Sequence, residues 1–443
     1  ANLPVKDVYN LRAFDKTGAL QIKTALNGDV RQVTIHFGEQ AIGIGTSVKW
    51  SLAYETPQIA QKQGRLWEIF VPRPAMLEGE SDFTVGVYVP ASFGKKIFIK
   101  PGPTGSDPVW KRADLQGAGI FAVYDPNQEE SAYQAYDFSL TYHLYNPKLY
   151  SASVEIALPP DTQRQKIMLN DLNPKPINVR MDEDGNWLAK YQLGPAQKQE
   201  VKATGSVAVF LENKFPDQLG SSPATLLSPQ KFWETNDQKI SQLSKEYVSP
   251  QKIYNFVVNT LHYDNTRAEK GGSRLGAKAV LSNPLSASSL EFSDLFVAIA
   301  RGANIPAREV EGFAIGHDAL HAWAEYFDSG SQSWIPVDPT WARTTNGSDY
   351  FNVFDFDHIV FSIHGRSSYI PQTAGTYKSG DDSKKDVSIK YHQGNLDFAA
   401  LPKLGLSSDI PTQITSGFAS QARVFVENYG PTTFSGDSAI LSS

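Results

Sequence analysis

The chain has 443 residues, a length that as a soft prior suggests about three or four domains. Hydrophobic residues make up 41% and aromatic residues 12%, which excludes a disordered chain, and 33 glycines with 27 prolines favour strands joined by turns. A net charge of −6 argues against nucleic acid or an anionic membrane as partner, the lack of cysteine excludes disulfides and thiolate metal sites, and no apolar run is long enough to span a membrane.

The first half reads as antiparallel β-structure. Val33, Ile35 and Phe37 alternate with polar neighbours, as do Phe83, Val85, Val87 and Val89, then Phe138, Leu140, Tyr142 and Leu144, then Val154, Ile156 and Leu158. Period-two alternation between turn signals predicts strands with one buried face, as in β-sandwiches, expected here over 1–115 and 116–212. His36 and His143 fall on the opposite faces of their strands and are expected to be solvated. Asp184-Gly185, between Asn178–Met181 and Trp187–Tyr191, predicts a hairpin. A calcium loop at the same place is disfavoured, because Leu193 stands where an EF-hand needs its glutamate.

The pattern changes after about residue 215. Ser249-Pro250 gives an N-cap with proline at the first helical position, ahead of Ile253, Tyr254, Val257, Val258 and Leu261 at helical spacing. A short helix is expected from Ala277 to Leu281 and a third from Ser289 to Arg301, ending at Gly302-Ala303-Asn304. Strands are expected at Ala307–Ala314, His321–Phe327 and Ser333–Asp338, which makes 213–370 an α+β unit. Residues 371–386 read as a linker or exposed loop, and 371–443 as that linker followed by a β-rich segment around Val424–Val426. The chain is thus expected to be multidomain.

Three stretches carry the chemistry. Ser288-x-x-Glu291 is a capping box, which puts Ser289 in the first helical turn, where unpaired backbone N–H groups and the positive end of the dipole favour an anion. Phe292, Leu295, Phe296 and Ile299 form the apolar stripe behind it. His321 and Trp323 share one face of a strand, and Asp338 closes the next strand before Pro339. A nucleophile at a helix start, a histidine and an acid on successive strands form a triad-like set.

Ile305-Pro306-Ala307-Arg308, Gly312, His321-Ala322-Trp323 and Val337-Asp338-Pro339-Thr340-Trp341, in that order over about residues 250–345, resemble the transglutaminase-like (papain-like cysteine peptidase) superfamily. The resemblance implies a papain-like α+β core and acyl transfer at amide bonds through a Cys-His-Asp triad. Protein or peptide substrates and no cofactor are implied as well. The family cysteine falls at Ser289, seven residues before Phe296. A serine hydroxyl is far harder to ionise than a thiol, so the chain as written is expected to be nearly inactive. Three origins stay open: a deliberate replacement, a natural loss or a working serine variant. Asn283 and Trp323 are expected to support the site, Asn283 by analogy with oxyanion-hole amides.

His317 is read as a loop histidine and His358, in the run Asp355-Phe356-Asp357-His358, as a satisfied structural one. No His/Asp/Glu spacing resembles a zinc site. The sequon Asn346-Gly347-Ser348 carries no weight. The alternative function is a cell-surface scaffold with a pseudoenzyme core. A first residue other than methionine, Ala1, leads to the expectation of a mature secreted chain, extracellular or on the cell surface.

Overall fold

Antiparallel pairing is the rule in the first half. Its alternating segments become the strands Val30–His36, Thr84–Gly86, Tyr133–Tyr145 and Ala152–Leu158. The Phe83–Val89 alternation pairs only over its first part, against Val109–Lys111. Pro90 has no N–H with which to continue a ladder, and Val87 and Val89 pack into a core with Ile69, Trp110, Leu115 and Ile120 instead.

The computed structural model describes residues 2–3, 5–28, 30–37, 49–72, 83–115, 119–127, 133–217, 223–269, 272–315, 319–344, 350–351, 354–376, 386–392, 396, 404–409 and 423–428. The chain divides into two compact units, Ala1–Ala132 with Thr344–Asp349, and Tyr133–Arg343 with Tyr350–Ser443. In the first, Ile120–Asp125 pairs with Leu66–Val71 and Lys95–Lys100, so the pairing of the first β region runs past residue 116.

In the second unit, Tyr133–Tyr145 and Lys198–Phe210 form a long ladder flanked by Gln165–Asn173 and Val387–Tyr391. A three-stranded sheet contains the expected hairpin, Asn178–Met181 against Trp187–Leu193, with Gly185 at φ 90°, a value that suits glycine. Asp182 Oδ1 accepts from Asp184 N and Asn186 N, closing this turn with its own carboxylate.

The α+β core follows. Gln238–Glu246, Pro250–Thr260, Ala277–Ser282 and Ser289–Gly302 are helical, with Pro250 at the first turn of its helix as expected. The sheet beside them has the order Ser333–Val337, Ala319–Asp328, Ala307–Ala314, His358–His364, all antiparallel. Ser289–Gly302 is buried on nearly every side rather than along a stripe, and its charged residues are all partnered. Asp294 takes Arg274, while Arg301 donates to the carbonyls of Ala307, Ser228 and Gly365. Ile253, Val257, Phe292, Phe296, Ile299, Ala324 and Val337 join helices and sheet in one apolar cluster.

Two expectations are corrected. His143 is half-buried and its Nε2 lies 2.8 Å from Asp386 Oδ1, because Val387–Tyr391 adds to the edge of its sheet. Residues 371–375 do not form an exposed loop: Thr373 is buried, bonded to Ser362 and Glu311. The Arg423–Asn428 strand pairs with Leu404–Asp409.

Candidate active site

Ser289 opens the buried helix. Glu291, two residues on, is fully buried and accepts from Ser288 N (2.8 Å) and Ser288 Oγ (2.6 Å), which fixes the first turn. The same carboxylate takes Arg267 in a two-pronged pair and Leu275 N. Burial pushes Glu291 up, but the Arg267 and Ser288 hydrogen bonds outweigh it and hold it below the ordinary value. The helix start is therefore locked by a charge-assisted network before any substrate arrives.

The Ser289 hydroxyl lies against the histidine strand, where Ala322 N donates to Ser289 Oγ at 3.3 Å. Further along this strand Ala324 joins the helix-facing core, while Trp323 packs with Val310 and Val360 on the other face. Gly312 stands opposite His321 across the ladder, next to an irregularity in its pairing with His358–His364. A Cβ at Gly312 would overlap Ile359 O and lie 2.9 Å from the Trp323 ring, which accounts for the glycine.

Asp338 has two tasks, one for each oxygen. Its Oδ1 accepts from Thr340 N (2.8 Å) and Trp341 N (3.2 Å), capping the helix Pro339–Thr344 with proline at its first position. Its Oδ2 lies 2.7 Å from His321 Nε2. The Asp-Pro-Thr-Trp run is thus a helix cap, not only a strand stop, and the cap aims the carboxylate. With Nε2 engaged, Nδ1 is the His321 nitrogen left for a nucleophile.

His358, read from sequence as a structural histidine, also reaches this carboxylate. Its Nε2 is 3.3 Å from Asp338 Oδ2 and its Nδ1 is 2.7 Å from Asp355 Oδ1. A neutral imidazole has one N–H and cannot donate to both, so the geometry fits an imidazolium. Burial works against that charge, but Asp355 and Asp338 outweigh it and raise His358 to about 9. Burial likewise pushes Asp338 up, yet His321 and His358 hold it well below the usual carboxylate range. The only sequence signal for this was Asp355, three residues before His358.

An aromatic wall surrounds the pair. The His321 ring stacks on Trp341 at 5.3 Å and on Trp323 at 6.2 Å, while Phe354 lies 4.2 Å and Trp341 4.4 Å from His358. Keeping water away strengthens every charged contact inside. Trp323, expected to support the site, thus packs on both histidines. Asn283 ends the helix Ala277–Ser282, exposed, with its Nδ2 donating to Ser286 Oγ at 2.8 Å. His317 and the sequon at 346–348 lie outside the described residues.

The Transglutaminase-like superfamily matches residues 234–339, a segment containing Ser289, His321 and Asp338. The core is transglutaminase-like. An uncharacterized protein of Haemophilus influenzae is 23% identical over 263 residues, covering 48% of this chain and 70% of its own length. Among solved structures, a candidate cysteine protease of Cytophaga hutchinsonii has a TM-score of 0.41 at 15% identity, covering 69% of this chain and 93% of its own. The periplasmic domain of TgpA from Pseudomonas aeruginosa has a TM-score of 0.25 at 17% identity, covering 48% and 91%. The transglutaminase-like core here thus combines a serine at the helix start, a buried His–Asp pair and a second histidine on the same acid.

Proposed function

We propose that the site belongs to an acyl-transfer lineage acting on protein or peptide amide bonds, with Ser289 standing where the working nucleophile is a cysteine. The observation that carries this reading is the 2.7 Å contact between His321 and a fully buried Asp338, aimed by its own helix cap, beside the start of the Ser289 helix.

The chemistry follows from the placement. A nucleophile at position 289 loses its proton to His321 Nδ1 as it attacks a substrate carbonyl carbon, and Asp338 stabilises the imidazolium that forms. The carbonyl oxygen, turned into an oxyanion, meets first-turn N–H groups of the helix. His321 returns the proton to the departing amine, leaving an acyl group on residue 289 that water or a second amine removes. Sulfur suits this scheme because a thiol ionises readily beside an imidazole, whereas a hydroxyl does not. The chain as written is therefore nearly inactive. An extracellular or cell-surface setting fits its lack of cysteine.

A second reading, a surface scaffold with a pseudoenzyme core, is favoured by Ser289 itself. Ser289→Cys decides between them, since the introduced thiol is the only one in the chain. Its alkylation is followed against pH, alone and combined with His321→Ala. The enzyme reading expects rapid labelling well below pH 8.5, the value near which a free thiol ionises, and loss of that advantage without His321. A thiol that titrates like free cysteine in both proteins leaves the scaffold.

A further inference from the structure

A second cluster lies on the same sheet, at the other end of the strand that carries His358. Glu309 and Glu311 alternate onto one face of Ala307–Ala314, and the register sets His364 directly opposite Glu309. Glu309 and His364 are fully buried, and the Glu311 side chain is 17% exposed.

Each of the three side chains is held through one of its polar atoms, with the other turned inward. Glu309 Oε2 accepts from Arg274 at 2.6 Å, Glu311 Oε2 accepts from Thr373 Oγ1 at 2.6 Å, and His364 Nε2 lies 2.7 Å from Pro371 O. Glu309, Glu311 and His364 each offer one donor atom within 4.8 Å of the others, and His364 Nδ1 faces both Glu309 Oε1 and Glu311 Oε1. Among the described residues, neither Glu309 Oε1 nor His364 Nδ1, both buried, has a hydrogen-bond partner. Nδ1 is 3.5 Å from Glu309 Oε1 and 3.4 Å from Glu311 Oε1, well beyond the length of a charge-assisted hydrogen bond, about 2.8 Å.

We propose that Glu309 Oε1, Glu311 Oε1 and His364 Nδ1 bind a divalent transition-metal ion of the zinc class, as a second site in the core. Four donors about 2.1 Å from a tetrahedral ion stand about 3.4 Å from each other, the spacing found around His364 Nδ1. An octahedral arrangement at the same bond length would bring neighbours to about 3.0 Å. The outer contacts are those a metal-binding histidine and carboxylates need: a ring N–H on a backbone carbonyl, and carboxylates steadied through their second oxygens. Charge agrees as well. Asp294, Glu309 and Glu311 gather round the Arg274 guanidinium at 2.5, 2.6 and 3.6 Å, and a divalent ion would add positive charge beside them. The partly exposed Glu311 gives the ion its way in and leaves the fourth position to water. Sequence spacing hides the set, because Glu309 and Glu311 meet His364 only through the strand register.

The test uses the full chain, freed of metal with a chelator and titrated with zinc chloride by calorimetry, alongside a thermal melt with and without the ion. The proposal expects one zinc per chain with a micromolar or tighter dissociation constant and a higher melting temperature when zinc is present. Glu311→Gln and His364→Gln should each weaken binding by about 10-fold or more. If His364→Gln fails to fold, Glu311→Gln, at the partly exposed edge, decides. His321→Ala should leave zinc binding unchanged. Absence of stoichiometric binding, affinity unaltered in Glu311→Gln, or loss of binding in His321→Ala would each overturn the proposal.

Discussion

A proton on His358 should be a measurable part of the stability of this core. His358 sits fully buried between Asp338 and Asp355, and is raised to about 9 in the folded chain. Histidine in an unfolded chain titrates near 6.5, so the shift of about 2.5 units corresponds to a contribution on the order of 3 kcal/mol. The sign follows from the raised value. The contribution is fully present below pH 6.5 and fades as pH rises through about 9, where the folded protein gives up the proton. His321, Asp338, Asp355, Tyr350 and Asp357 are the ionisable groups around the ring. Chemical denaturation of the native chain and of His358→Gln, each at pH 6 and pH 9.5, reads the effect. At pH 6 the native chain should be more stable by roughly 3 kcal/mol, and at pH 9.5 the gap should shrink to the residual packing difference. The comparison within each pH removes contributions common to both proteins. A gap of equal size at the two pH values would mean that His358 takes up no proton on folding, and the imidazolium assignment would be wrong.

Gly312→Ala should be destabilising by several kcal/mol or abolish folding, because its Cβ would overlap a backbone carbonyl that a flexible side chain cannot replace; soluble yield and thermal melting report it. Asp338→Ala should cost about 1 kcal/mol for the lost helix cap and roughly 3 kcal/mol more for two buried histidines left without their acid, whereas Asp338→Asn should retain most of the cap term. Denaturation of the two variants side by side separates those parts.

The core helices and strands were legible because their signals are local. A Ser-x-x-Glu box, a proline after a serine and alternation along Ala307–Ala314 each declare an element within a few residues. His321 and Asp338 were legible for the same reason, being set at the ends of short, strongly patterned segments. Register was not legible. His358 and His364 acquire their partners only when their strand pairs with Ala307–Ala314 across an irregularity at Glu311 and Gly312. His143 finds Asp386 across 243 residues. Thr373 was lost in a stretch whose glycines and serines read as linker, since composition cannot show that one hydroxyl bonds inside the core. The full burial of the Ser289 helix was also hidden, because its charged residues look solvated until Arg274 and three backbone carbonyls are seen to satisfy them.

The strand His358–His364 is the edge of the core sheet, and edges offer unpaired backbone groups to any passing strand. Here the second β region closes it with side chains in place of a further strand. Gln165 donates to Val360 O at 2.9 Å and accepts from Val360 N at 2.8 Å, and Asn186 makes the same reciprocal pair with Ile363, both at 2.7 Å. Asp184 then accepts from Gly365 N and Arg366 N. An amide side chain carries a donor and an acceptor, as a peptide group does, so two of them can stand in for a neighbouring strand. Their effect is to hold in register the strand that presents His358 to Asp338 and His364 to Glu309. Asn186→Ala would leave Ile363 N–H and C=O unpaired in a buried setting, a loss of about 1–3 kcal/mol for each group. Amide hydrogen exchange should then rise along His358–His364 ahead of the rest of the sheet. Exchange that stays slow there while the Lys198–Phe210 ladder opens would show that this strand needs no such brace.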